Sequence, residues 1–420
     1  MSPCGWMVTA VDSEIHDLRD YLRTEYGGLT LHIRPCHNDE IGAISVFLED
    51  IHEPHRAQLV INRFLSAMAW KESSPFVTLG AAISGAKATD RNRPRFNWRE
   101  ERILRGGIIS TLDFEHLQNP SGNKQKLALA LYRDGLNSNN EFYRFLSFYK
   151  IVNIGYERGP QQAAWINANL NNVWGHTAQL RLQELQKTEP DVGAYLLKQG
   201  RNAIAHAFSQ PILDPDLPTD RADARSNTYL MEGLSQTFIQ EELGVPSLRK
   251  IWDQHFYELE GFKRLFGDVL VHKLKAKESV PPGDFPAIPA LTLNLKEHQP
   301  YECFSTVPFR VAECRGGIVL LKADPNTQPM HVILNLDFPS EQLELVISAL
   351  GIDPLGAGYT RDLAISFYEF LIGYFGNGCL QVFDSTSGLR LSHKLPFIPL
   401  NVDPRTAIER WQQEIQKLSA

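Results

Sequence analysis

The chain has 420 residues, of which 43% are apolar and 22% charged, enough to bury two or three cores of about 100–200 residues each and to exclude wholesale disorder. Its formal charge of -7 and pI near 6.0 exclude nucleic-acid binding through global basicity, so any RNA contact must come from a local patch. Five scattered cysteines, Cys4, Cys36, Cys303, Cys314 and Cys379, form no C-x-x-C pair, which excludes a disulfide framework and a zinc ribbon.

At the N-terminus, Asp12, Glu14, Asp17 and Asp20 come where a signal peptide needs a basic region and an apolar run. No later apolar stretch reaches about 18 residues, so the expectation is a cytoplasmic protein with no membrane segment. Short strand-like runs at 29–33 and 44–48 and a helical pattern from Ala57 to Trp70 predict a small α/β domain. From Ser138 to Lys277 the pattern turns helical. Phe142, Phe145, Leu146, Tyr149 and Val152 recur at helical spacing, with Tyr143, Phe148 and Ile151 filling the remaining faces, which predicts a buried central helix. Further helical patterns run from Gln161 to Lys187, Val192 to Phe208, Tyr229 to Leu243 and Leu248 to Lys275.

Pro281, Pro282, Gly283, Pro286, Pro289 and Pro300 then predict a semi-rigid linker or an extended docking segment. Strand-like segments follow at 307–311, 317–322 and 330–336, and helical patterns at 340–350, 362–374 and 404–418. The expected architecture is multidomain α+β. It comprises an N-terminal α/β domain (1–135), a central all-α bundle (136–278), a Pro-rich linker (279–300) and a C-terminal α+β domain (301–420).

The feature that can carry chemistry is Arg201-Asn202-Ala203-Ile204-Ala205-His206. On an α-helix, Ala203, Ile204, Ala207 and Phe208 form an apolar stripe, while Asn202 and His206 lie about 40° apart on the opposite side. Gly200 and Pro211 delimit a short helix, with Arg201 expected at its N-terminal end, where free N–H groups favour a phosphate. A neutral imidazole can take a 2'-hydroxyl proton or, once charged, protonate a leaving 5'-oxygen. A guanidinium can hold the non-bridging phosphate oxygens and stabilise the charge that builds up on them, and Asn202 would orient His206 or the phosphate. The catalytic candidates are therefore Arg201, Asn202 and His206, with no metal and no cofactor required.

This stretch resembles the R-x(4-6)-H signature of HEPN domains, including the polar residue after the Arg. More narrowly, 143–150, 201–207 and the Asp214-Pro215-Asp216 loop resemble the methylamine-utilisation MauJ-like group. The resemblance covers about a third of the chain. It implies a HEPN-like bundle that pairs as a homodimer, with two motifs meeting in one cleft. It further implies metal-independent RNA cleavage of the kind found in phage defence and toxin systems or, alternatively, a non-catalytic scaffold that dimerises or binds a nucleotide beside a metabolic or defence operon.

Other candidates carry less. Arg249 and His255 repeat the Arg/His spacing, but Lys250 replaces the small polar residue, and His255 reads as a packed position on the 248–275 helix. The run Arg91 to Arg105 has six arginines, two glutamates and two aromatics, which makes Arg93, Arg95, Arg99 and Arg102 the RNA-binding candidates outside the motif. His52 and His55 are separated by Pro54 and lack a third ligand nearby, while Cys303 and Cys314 read as buried thiols.

Overall fold

The computed structural model describes residues 3–17, 19, 21–36, 41–88, 108–109, 114, 116–205, 212–295, 301–376, 379–394 and 403–419. It is multidomain α+β, and two compact units divide the chain: Met1–Leu248 and Arg249–Ala420.

In the first unit, strands β1 (Gly5–Ser13), β2 (Leu22–Tyr26), β3 (Leu29–Arg34), β4 (Gly42–Leu48) and β5 (Phe76–Ser84) pair in the order β2-β3-β4-β1-β5. Every pairing in this sheet is antiparallel, so the expected α/β domain is of the α+β kind. Two-residue alternation sets the faces. Met7, Leu31, Ile33, Ile44 and Val46 point to one side and share a core with Val60, Ile61, Phe64 and Met68 of helix α1 (His55–Glu72).

The same core continues into the bundle. Helices α2 (Asn123–Asn137), α3 (Glu141–Asn153), α4 (Gly159–Asn169), α5 (His176–Thr188), α6 (Val192–Tyr195) and α7 (Pro218–Thr237) all contribute buried residues to it or pack against it. The boundary read after residue 135 falls within α2, near its end, inside the first unit. α3 is the axis of the bundle. Asn140 caps it by accepting from the Phe142 and Tyr143 N–H groups. Phe145, Phe148, Tyr149, Ile151 and Val152 are fully buried, each such side chain contributing about 1.5–3 kcal/mol. Tyr143, expected in the apolar surround, is 66% exposed.

The expected single helix over 161–187 breaks after Asn169: a 3₁₀ turn spans Leu170–Asn172, and Gly175 at φ 105° stands at the N-cap of α5. Likewise 248–275 divides into Leu248–Asp253, α8 (Glu260–Phe266) and α9 (Asp268–Lys275), with Gly267 at φ 77° between the last two.

In the second unit, the Pro-rich stretch gives strand β6 (Leu291–Leu295), whose three leucines are buried. β7 (Phe309–Arg315), β8 (Ile318–Ala323), β9 (Ile333–Asp337) and β10 (Gln342–Leu345) form one antiparallel sheet. β6 pairs with β11 (Leu380–Asp384), which pairs with β12 (Arg390–Lys394). The helix expected over 340–350 is corrected to β10 and a short 3₁₀ turn. Buried Leu343 and Leu345 flank exposed Glu344, a period of two that short apolar runs share with helices. Helices α10 (Arg361–Phe375) and α11 (Pro404–Ser419) pack on each other through Phe375 and Trp411, with ring centroids 4.8 Å apart.

Candidate functional site

The motif helix is anchored at its start. Asp191 caps α6 by accepting from the Ala194 N–H at 2.7 Å, and Asn167 of α4 donates to Asp191 Oδ1 at 2.7 Å while accepting from the Gly193 N–H at 2.8 Å. These bonds hold the Asp191 carboxyl below its ordinary value, the Asn167 contact foremost.

From Tyr195 the chain does not restart. It continues through a π-helical segment, Leu196–Asn202, into Ala203–Ala205. The Ala203 N–H reaches back five residues to the Lys198 carbonyl, as a π turn requires. Arg201 therefore lies well inside a continuous helix, and the expectation that it sits at a helix N-terminus is corrected: Gly200 does not break the helix. Its role is packing, because a Cβ placed on it would lie 2.5 Å from Phe145 Cζ of α3.

Arg201 and Asn202 bond to each other. Arg201 Nη1 donates to Asn202 Oδ1 at 2.7 Å, and both side chains are half-buried. Tyr149 is fully buried, and its hydroxyl donates to Gln162 Oε1 at 3.2 Å. Burial pushes that hydroxyl up to about 12, and the Arg201 charge opposes the shift, which places the guanidinium within electrostatic reach of the α3 core. His206 lies outside the described residues, as do Arg93, Arg95, Arg99 and Arg102.

Arg201 differs in its partners from Arg144, Arg181, Arg221 and Arg225, and is like Arg133 of α2, which donates to the Asn62 carbonyl at 2.9 Å and makes no ion pair among the described residues. Arg144 pairs with Glu232 at 3.2 Å, and Arg181 with Asp223 and with Glu184 at 3.3 Å. Arg221 and Arg225 close on Glu141 at 3.2 and 2.6 Å. Among the described residues no carboxylate lies within ion-pair distance of Arg201. A half-buried cation with one neutral hydrogen-bond partner is suited to receive an anion.

The rival candidates are placed differently. His255 lies in a left-handed turn at φ 55°, not on a helix, with Nδ1 2.6 Å from Glu258 Oε2. Among the described residues no group of His, Cys, Asp or Glu could hold a metal ion, and His52 and His55 stand at the entry to α1. Cys303 and Cys314 are buried, and burial pushes the Cys303 thiol up to about 12, the form least suited to attack. No helix among the described residues is long and apolar enough to cross a membrane. Sequence reasoning missed the π segment and the Tyr149 hydroxyl, for which helix periodicity carries no signal.

No curated protein and no solved structure matches the chain. Residues 128–240 match the family model described as methylamine utilization protein MauJ, so the part of the chain from α2 to the end of α7, with Arg201 and Asn202 inside it, is similar to that family.

Proposed function

We propose that the bundle is a HEPN-type, metal-independent endoribonuclease with Arg201, Asn202 and His206 as its catalytic residues. The observation that carries this reading is the Arg201 guanidinium, half-buried, aligned by Asn202 and without a carboxylate among the described residues. A phosphodiester supplies the missing negative charge. In this mechanism the neutral His206 imidazole removes the proton from the 2'-hydroxyl, the 2'-oxygen attacks phosphorus as the P–O5' bond breaks, and a charged imidazole returns a proton to the leaving 5'-oxygen, giving a 2',3'-cyclic phosphate and a 5'-hydroxyl. Arg201 stabilises the non-bridging oxygens as their charge grows, and a second copy of the chain completes the cleft.

Purified protein is expected to cleave single-stranded RNA in EDTA with those termini. His206→Ala should lower the rate at least about 10²-fold, and Arg201→Lys should also be poor, because a point charge cannot reproduce the bidentate fork. Expression of parent and His206→Ala with and without phage, read by growth and RNA integrity, covers a nuclease that is silent until triggered. Equal behaviour under every condition that reveals a phenotype would sink the nuclease reading. The net charge of -7 and the family description favour the second reading, a HEPN-like scaffold serving a methylamine-utilisation or defence operon, and that result would leave it standing.

A further inference from the structure

The sheet of the first unit has one face on α1; on its other face Val8 and Ala43 are buried with Ala88, and a row of aromatic rings stands beside them. Trp6 of β1 pairs with Phe47 of β4, and His32 of β3 pairs with Ser45 of β4, so Trp6, Phe47 and His32 share the outer face. Trp6 stands edge-on to both neighbours, with ring centroids 5.0 Å from His32 and 5.4 Å from Phe47. Tyr21 extends the row, 5.8 Å from His32 and hydrogen-bonded to its Nδ1. Phe47 is 48% exposed and Tyr21 41%.

Cations border this row. Lys87 lies 4.7 Å from the Tyr21 ring centre and donates to its hydroxyl at 3.4 Å. The chain is fixed there by Ala88, whose N–H donates to Ser45 Oγ at 3.0 Å. Arg23 pairs across the strands with His32 and is largely exposed, its nearest acid being Glu25 at 3.6 Å, itself held by Thr30 at 2.5 Å. The His32 ring is held below its ordinary pKa by partial burial first and then by Lys87 and Arg23, with Glu25 opposing.

We infer that this outer face, built from Trp6, Tyr21, His32, Phe47, Arg23 and Lys87, is a stacking platform for single-stranded RNA. Exposed rings across adjacent strands offer successive bases a π surface, and flanking cations answer the phosphates. Choosing RNA over DNA rests on the ribonuclease reading above; the platform itself does not.

The test is fluorescence anisotropy of a labelled 12-nucleotide oligoadenylate with the full chain in the His206→Ala background, which prevents cleavage. Phe47→Ala removes a half-exposed ring outside the buried core, and it should weaken binding about 5- to 100-fold. Lys87→Ala should flatten the salt dependence by about 0.7 units of slope. The DNA 12-mer should bind equally or less tightly, and an RNA duplex far less tightly.

Unchanged affinity in Phe47→Ala together with an unchanged slope in Lys87→Ala would overturn the platform, as would equal affinity for the duplex. Tighter binding of DNA would overturn the assignment to RNA. Oligonucleotide binding that depends on Phe47 in a chain that never cleaves RNA leaves the platform and removes the nuclease. Cleavage that depends on His206 but is indifferent to Phe47 and Lys87 does the reverse.

Discussion

Two Arg/His pairs of nearly equal spacing stand in different surroundings. Arg201 sits in a π-helical turn with Asn202 as its neutral partner, whereas His255 sits in a left-handed turn with a buried carboxylate as its own. Glu258 is 4% exposed and divided between two tasks: Oε2 meets His255, and Oε1 accepts from the Leu343 N–H at 2.9 Å. His255 and Tyr257 both have positive φ, a conformation that costs about 1–2 kcal/mol per residue and that the Glu258 contacts offset. Arg201 thus has no carboxylate among the described residues, whereas His255 is held by one in a turn. Spacing alone does not separate them. What surrounds the charge does.

The largest expected effect sharpens that contrast in activity. His206→Ala should remove at least about 10²-fold of RNA cleavage, while His255→Ala, measured in the same assay on folded protein, should leave the rate within about twofold. If the two variants fell together, the distinction drawn from their partners would fail. In stability the order reverses. Glu258→Ala leaves the Leu343 N–H without its acceptor and frees the turn, and it should cost about 2–4 kcal/mol as a shift in the urea midpoint. Arg201→Ala breaks no ion pair among the described residues and should stay within about 1 kcal/mol.

Gly200→Ala tests whether the motif helix is held by packing. The added methyl meets the Phe145 ring of the central helix, and overpacking of this kind costs about 1–3 kcal/mol. A change under about 0.5 kcal/mol would mean that Gly200 is tolerated and not required.

Much of the first unit was legible because its signals are local. Strands 29–33 and 44–48 and the helix from Ala57 alternate or repeat within a few residues, and the reading of the Arg201-to-His206 stretch as a site rests on residue type alone. What escaped depends on distant partners. The π turn arises from hydrogen bonding that periodicity does not encode, and the assignment of Ser340 to Leu350 as helix failed because Leu343 and Leu345 satisfy a strand equally well. Trp6, Tyr21, His32 and Phe47 are spread over more than forty residues and meet only through strand pairing, so no window of sequence shows them as one surface.

The smallest expected effect concerns a carboxylate with two cations, the inverse of Arg201. Glu141 opens α3 with Arg225 at 2.6 Å and Arg221 at 3.2 Å. The Arg225 hydrogen bond foremost, then its own backbone N–H and Arg221, holds the Glu141 carboxyl down at about 2 against some opposing burial. A carboxyl whose folded pKa is depressed contributes stability that is complete above its unfolded value and is lost as protonation overtakes the folded form. For Glu141 that window runs from about 4.5 down to about 2, as the charge on its oxygens is removed. Both arginines are more than half exposed, so solvent screening keeps the contribution to a modest fraction of what the pKa displacement alone implies. Melting temperatures of parent and Glu141→Gln should differ by a few degrees at neutral pH and converge as pH falls through that window. Added salt should narrow the neutral-pH gap as well, because the pair lies at the surface. A gap that persisted unchanged below pH 3 would assign the effect of Gln to packing at the start of α3 and not to the two arginines.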